Sequence, residues 1–154
     1  MWKRIGMLMA IVAVQGMLLT TAEAVGGQTY PYELFKNRPY ASQIKSVLPR
    51  GTRLNQVRDY FSVSDGMHHE RRFWFGSGCV PHSCSISEGF MVFEQQGGKP
   101  YLIIMDTPDP MNQARRQFVS YGARLTIQGN RARLDRPYPA ALRNWFSELN
   151  VILE

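Results

Sequence analysis

The chain is poor in the residues that carry most enzyme and metal chemistry. Its 154 residues include only two cysteines and three histidines, with 12 acidic residues against 18 basic ones. Two cysteines allow one disulfide at most, or a minor share of a metal site. The carboxylates are sparse, and no pair stands out as an acid/base couple. The runs G-x-S-x-G, H-E-x-x-H and Walker A are all missing. There is no internal repeat and no low-complexity linker, and past residue 24 no stretch approaches the ~18 apolar residues of a membrane span. These absences exclude a repeat array, a membrane-spanning mature chain and a large multi-domain enzyme.

What is there begins with a leader. Lys3 and Arg4 precede Ile5–Leu19, a run that is apolar apart from Gln15, and Ala22-Glu23-Ala24 places small residues at −3 and −1. That is the pattern of a secretory signal peptide, so residues 1–24 are expected to be removed after Ala24. The run is also short of the ~20 residues that span a bilayer. No cysteine stands at the new N-terminus. Residues 25–154 are then expected to form one exported, periplasmic domain, where a cysteine pair persists as a disulfide. The formal charge of +6 stays strongly positive without the leader. Export nonetheless argues against nucleic acid as the partner.

The remaining chain reads as strands with a few helices. Tyr40–Leu48 has apolar residues at helical spacing and ends at Pro49-Arg50-Gly51. Arg53–Phe61 fits a helix, while Tyr60–Val63 fits a strand. Asp65-Gly66 carries a hairpin-turn signal. Phe73-Trp74-Phe75 reads as a strand covered on both faces, and Phe90–Glu94 alternates, with Phe90, Val92 and Glu94 on one side and Met91 and Phe93 on the other. Tyr101–Met105 is a short apolar strand, and Gln113–Val119 a weak helix. Gly129-Asn130 joins strands Ala123–Gln128 and Arg131–Asp135. Pro139 opens a closing helix that runs to about Leu149. The expected class is α+β: an antiparallel sheet of about five strands, short helices packed on one face, and a protruding disulfide-closed loop. Phe73, Trp74, Phe75, Phe93, Ile103, Leu125, Trp145 and Phe146 are the candidate core.

The most distinctive segment is Gly78-Cys79-Val80-Pro81-His82-Ser83-Cys84. Four residues between the cysteines suit a very small disulfide ring, which adds only roughly 2 kcal/mol by loop closure. A local purpose is then the better reason for the bridge. Together with Pro81, whose φ is fixed near −65°, it presents His82 on a preorganised tip that loses little entropy on binding. A plain strand-end staple with an incidental histidine fits the same residues. A thiol oxidoreductase uses C-x-x-C at a helix start, and the C-x₄-C spacing here departs from that. Zinc would need Cys79, Cys84 and His82, with His68 or His69 as a fourth ligand. The exported pair oxidises more readily, so no metal, cofactor or catalytic residue is assigned.

Cys79-Val80-Pro81-His82-Ser83-Cys84 resembles the C-K-P-H-D-C signature of the inhibitor of vertebrate lysozyme (Ivy) family. The leader, the small mature domain, the hairpin before the motif and the apolar strands after it agree with that family. The resemblance implies an antiparallel sheet with short helices, a periplasmic location and no enzymatic activity. It also implies that the loop enters the substrate cleft of a C-type lysozyme, where the motif's histidine hydrogen-bonds the catalytic carboxylates. Carried over, His82 is the plug, Pro81 its rigid shoulder, and Cys79 and Cys84 the staple. Val80 stands where the family has Lys, and Ser83 where it has Asp. C-type lysozymes are generally basic, and a basic partner is repelled at long range. A second target class is therefore the cell's own lytic transglycosylases. The alternative function is an exported binding module of the same fold, which would hold an anionic glycan or lipid headgroup through Arg71, Arg72, Arg115, Arg116, Arg131, Arg133 and Arg136.

Overall fold

The computed structural model describes residues 28–109, 111–112 and 115–154. The expected leader and its cleavage point after Ala24 lie outside the described residues. Five strands form an antiparallel meander, β1 (His68–Glu70), β2 (Phe73–Cys79), β3 (Ser87–Glu94), β4 (Tyr101–Asp106) and β5 (Gln117–Tyr121), in that spatial order. A second sheet holds β6 (Leu125–Gln128), β7 (Arg131–Leu134) and β8 (Ile152–Leu153), with β8 parallel to β7. The helices are α1 (Pro31–Leu34), α2 (Tyr40–Val47), α3 (Leu54–Arg58) and α4 (Ala140–Glu148), and one 3₁₀ turn spans Asp59–Phe61. The chain is α+β, as its sequence predicts.

The alternation of β3 and β4 explains the layers. Phe90, Val92, Tyr101, Ile103 and Met105 point into a core shared with Leu142, Trp145 and Phe146 of α4 and with the small sheet. Their neighbours Met91, Phe93, Leu102 and Ile104 point the other way, onto Leu34, Ile44, Val57 and Phe61 of the N-terminal helices. Central strands sandwiched in this way are apolar on both sides, the usual mark of a strand covered on two faces. Phe73, Phe75, Phe93, Ile103, Trp145 and Phe146 of the candidate core are buried, while Trp74 and Leu125 are half-buried.

Three local expectations change. Gln117–Tyr121, overlapping the end of the expected helix Gln113–Val119, is strand β5; Gln113 and Ala114 lie outside the described residues. The free edge of β4 pairs with it from Leu102↔Tyr121 to Asp106↔Gln117, and that ladder overrides a weak helical pattern. Asp65-Gly66 is not a hairpin turn; the tight turn is Arg71-Arg72, between β1 and β2. Val63 and His68 pair with Cys79 and Phe75 on the same neighbouring strand, leaving one residue more on the edge side, and Gly66 absorbs that bulge at φ +107°. Leu54–Phe61 is helical, as α3 and the 3₁₀ turn, with Arg53 its extended N-cap, and only Val63 of Tyr60–Val63 makes a strand contact. Pro31 opens α1, occupying the first turn, where its missing N–H is not needed.

Candidate functional site: the Cys79–Cys84 loop

The loop begins where the β2–β3 ladder ends. Cys79↔Glu88 is the last pair, and Cys79 and Cys84 are joined by a disulfide with their Cα atoms 5.0 Å apart. In this bonded state neither cysteine offers a thiolate to a metal ion. Within the ring the Ser83 N–H donates to the Val80 carbonyl at 2.9 Å. Pro81 is then the second residue of a four-residue turn and His82, at φ +63°, the third. Proline followed by a positive φ is the type II pattern. That third position favours Gly or Asn, and a histidine held there is uncommon. Pro81 and His82 are exposed, and Val80 and Ser83 half-buried.

The base of the loop is fixed from four sides. Val63 exchanges two backbone hydrogen bonds with Cys79, at 3.1 and 2.9 Å. The Val80 N–H donates to the Ser87 carbonyl, and the Ile86 and Ser87 N–H groups donate to the Ser83 carbonyl. Glu88 accepts from the Ser85 N–H at 3.0 Å and from the Trp145 indole N–H at 2.9 Å, tying the loop to α4. Asp106, at the end of β4, accepts from the Ser87 hydroxyl at 2.7 Å and from the Tyr60 hydroxyl at 2.6 Å. Burial, then the hydrogen bond to Asp106, hold the Tyr60 phenol well above the ordinary tyrosine range. Glu88 and Asp106 were legible in the sequence only as scattered acidic residues. Their role appears once the ladder sets Glu88 beside Cys79 and Ser87 opposite Asp106.

Two glycines make this base possible. Gly78 and Gly89 face each other across β2 and β3, and Phe61 lies over both. A Cβ at Gly78 would sit 2.7 Å from the Phe61 Cα, and one at Gly89 would sit 2.6 Å from its ring. Phe61 is fully buried and anchors the 3₁₀ turn, which brings Tyr60 and Val63 to the loop.

The other predicted residues scatter. His68 and His69 lie on the edge strand β1 and point to opposite faces, over Phe75 and Trp74 respectively, so neither joins His82. The arginines fall into separate groups. Arg131 and Arg133 pair with Glu154 at 3.1 and 3.3 Å, and Arg136 with Glu94 at 3.2 Å. Arg116 donates to the Leu149 carbonyl. Arg71 and Arg72 form the β1–β2 turn, and Arg115 lies exposed in the β4–β5 connection. Beside the loop base, Asp65, Glu88 and Glu148 line a hollow of about 230 Å³, so carboxylates gather here despite the positive total.

The chain is thus a small two-sheet domain with an exposed, disulfide-fixed tip whose base is held by Glu88 and Asp106. The family model for the Inhibitor of vertebrate lysozyme (Ivy) matches residues 39–150, which is most of the chain, and the protein belongs to that family. No curated protein and no solved structure is significantly similar to it. The family is one of inhibitors rather than enzymes, so the partner is a protein target. Among the described residues no helix is long and apolar enough to cross a membrane.

Proposed function

We propose that the mature chain, released by cleavage after Ala24, is a periplasmic inhibitor that plugs the active-site cleft of a lysozyme or related muramidase with the His82 loop. The observation that carries this reading is His82 itself, exposed at the third position of a proline turn inside a six-residue disulfide ring. Lysozyme cleaves its glycan with two carboxyl groups. An imidazolium offers two N–H donors to such a pair, and charge-assisted bonds in a desolvated cleft are roughly twice as strong as neutral ones.

Val80 and Ser83 mark this chain off from the family's Lys and Asp. Both are half-buried here, and their backbones close the turn, so the substitutions leave the ring intact and remove charge from its shoulders. The carboxylates of Asp65 and Glu148 beside the loop offset the basic total where a basic lysozyme would dock. The alternative module for anionic glycans draws less support, because four of its seven arginines already bond acceptors within the chain.

The test is cell-wall hydrolysis by C-type and G-type lysozymes and a lytic transglycosylase, each with the purified mature protein. Inhibition of at least one at ~1 μM is expected, an affinity of about 8 kcal/mol. No inhibition of any of them at that concentration overturns the proposal.

A further inference from the structure

β3 runs from Ser87 beside the loop to Glu94 at the opposite end of the sheet, a rise of about 23 Å at strand geometry. At that far end lies a cleft of about 740 Å³ between α2, the β1–β2 hairpin and the β3–β4 turn. Ligand sites typically enclose about 300–1,000 Å³. Its floor is aromatic: the rings of Tyr40, Trp74 and Phe93 have centroids 5.2 to 5.7 Å apart, and His69 stacks on Trp74 at an interplanar angle of 17°. Phe93 is buried, whereas Trp74 is half-buried and Tyr40 likewise, so ring surface faces the cleft.

Three amides stand on the rim, beside Thr29, Ser46 and Lys99. Asn37, Gln43 and Gln95 line it and are exposed. Gln95 is bonded to the His69 ring at 3.1 Å, which fixes both. Among the described residues the side chains of Asn37 and Gln43 have no hydrogen-bond partner within the chain. The carboxylate in the lining, Glu94, is neutralised by Arg136 at 3.2 Å.

We propose that this cleft binds a short oligosaccharide, with one sugar ring stacked on Trp74 and its hydroxyls bonded by Asn37, Gln43 and Gln95. A pyranose presents an apolar C–H face and a rim of groups that both donate and accept. An aromatic floor with a polar handle matches the face, and carboxamides, which also donate and accept, match the rim. The inference is independent of the inhibitor reading. The distance along β3 leaves the cleft open while the His82 loop is engaged, so the molecule can hold a glycan and a protein target together.

The purified protein titrated with chitotriose and with cellotriose, followed by ¹H–¹⁵N NMR, tests this. At least one sugar is expected to shift the Trp74 indole and the Gln43 and Gln95 amides, with a dissociation constant of about 1 mM or tighter. The Asn37→Ala/Gln43→Ala variant changes only exposed side chains and is expected to keep its fold and bind at least about fivefold more weakly. Trp74→Leu is expected to abolish binding, and His82→Ala to leave it unchanged. No shift with either sugar at ~10 mM overturns the proposal. So does binding that the Asn37/Gln43 variant retains in full, or binding that maps to the His82 loop.

Discussion

Asp106 accepts hydrogen bonds from Tyr60 and Ser87 at once and so joins the 3₁₀ turn, β3 and β4 at the foot of the loop. The raised pKa of Tyr60 fixes a pH dependence. The folded chain keeps that proton where the unfolded chain loses it, so the contribution to stability is full below about pH 10 and is lost as pH rises beyond it. Tyr101, raised by burial against the opposing pull of Arg136, acts in the same direction. Melting curves at rising alkaline pH should therefore fall above about pH 10, and Tyr60→Phe should make that fall shallower. An identical fall in the variant would contradict the account. Little of this was legible in the sequence. Glu88, Asp106 and Tyr60 are ordinary residue types, and only the register that sets Ser87 opposite Asp106 gives them their partners. Cys79, Pro81, His82 and Cys84 stood out in the sequence because they lie within six consecutive residues.

At the scale of elements, the strands and helices with their own periodicity were readable and those defined by a neighbour were not. The alternation of β3 and the apolar face of α4 come from residues close in the chain, and Gly129-Asn130 marks its hairpin locally, with Gly129 at φ +61°. β5 and the two-residue β8 exist because β4 and β7 offer them ladders, which no local pattern announces. Trp145 is the link from α4 to the loop: it is buried among Phe90, Phe118 and Phe146, and its indole N–H bonds Glu88. Trp145→Ala should cost ~3–5 kcal/mol in denaturant unfolding, and unchanged stability would show that α4 does not carry the core. Gly78→Ala drives a Cβ against the Phe61 backbone, which cannot swing aside, and should destabilise by about 1–3 kcal/mol. A variant as stable as wild type would show that the close approach of Phe61 to β2 is not required.

Over the whole molecule, one end of the large sheet carries the loop and the other the aromatic cleft, with cores on both faces keeping the sheet rigid between them. Charge is also uneven: the chain is +6 in total, yet Asp65, Glu88 and Glu148 surround the hollow at the loop base. Asp65→Asn/Glu148→Gln should slow association with a basic lysozyme, most at low ionic strength, and leave dissociation nearly unchanged. Stopped-flow association at two salt concentrations would show it, and rates equal to wild type at both would refute it. The central claim is that His82, not the bulk of the loop, carries inhibition. The most direct measurement is the inhibition constant of His82→Ala beside wild type, against whichever muramidase the wild type inhibits, with melting temperatures for both. Removing the imidazole leaves the disulfide ring and its base intact, so melting should be unchanged and inhibition weaker by roughly 2–4 kcal/mol. A His82→Ala variant that melts and inhibits like wild type would contradict the account.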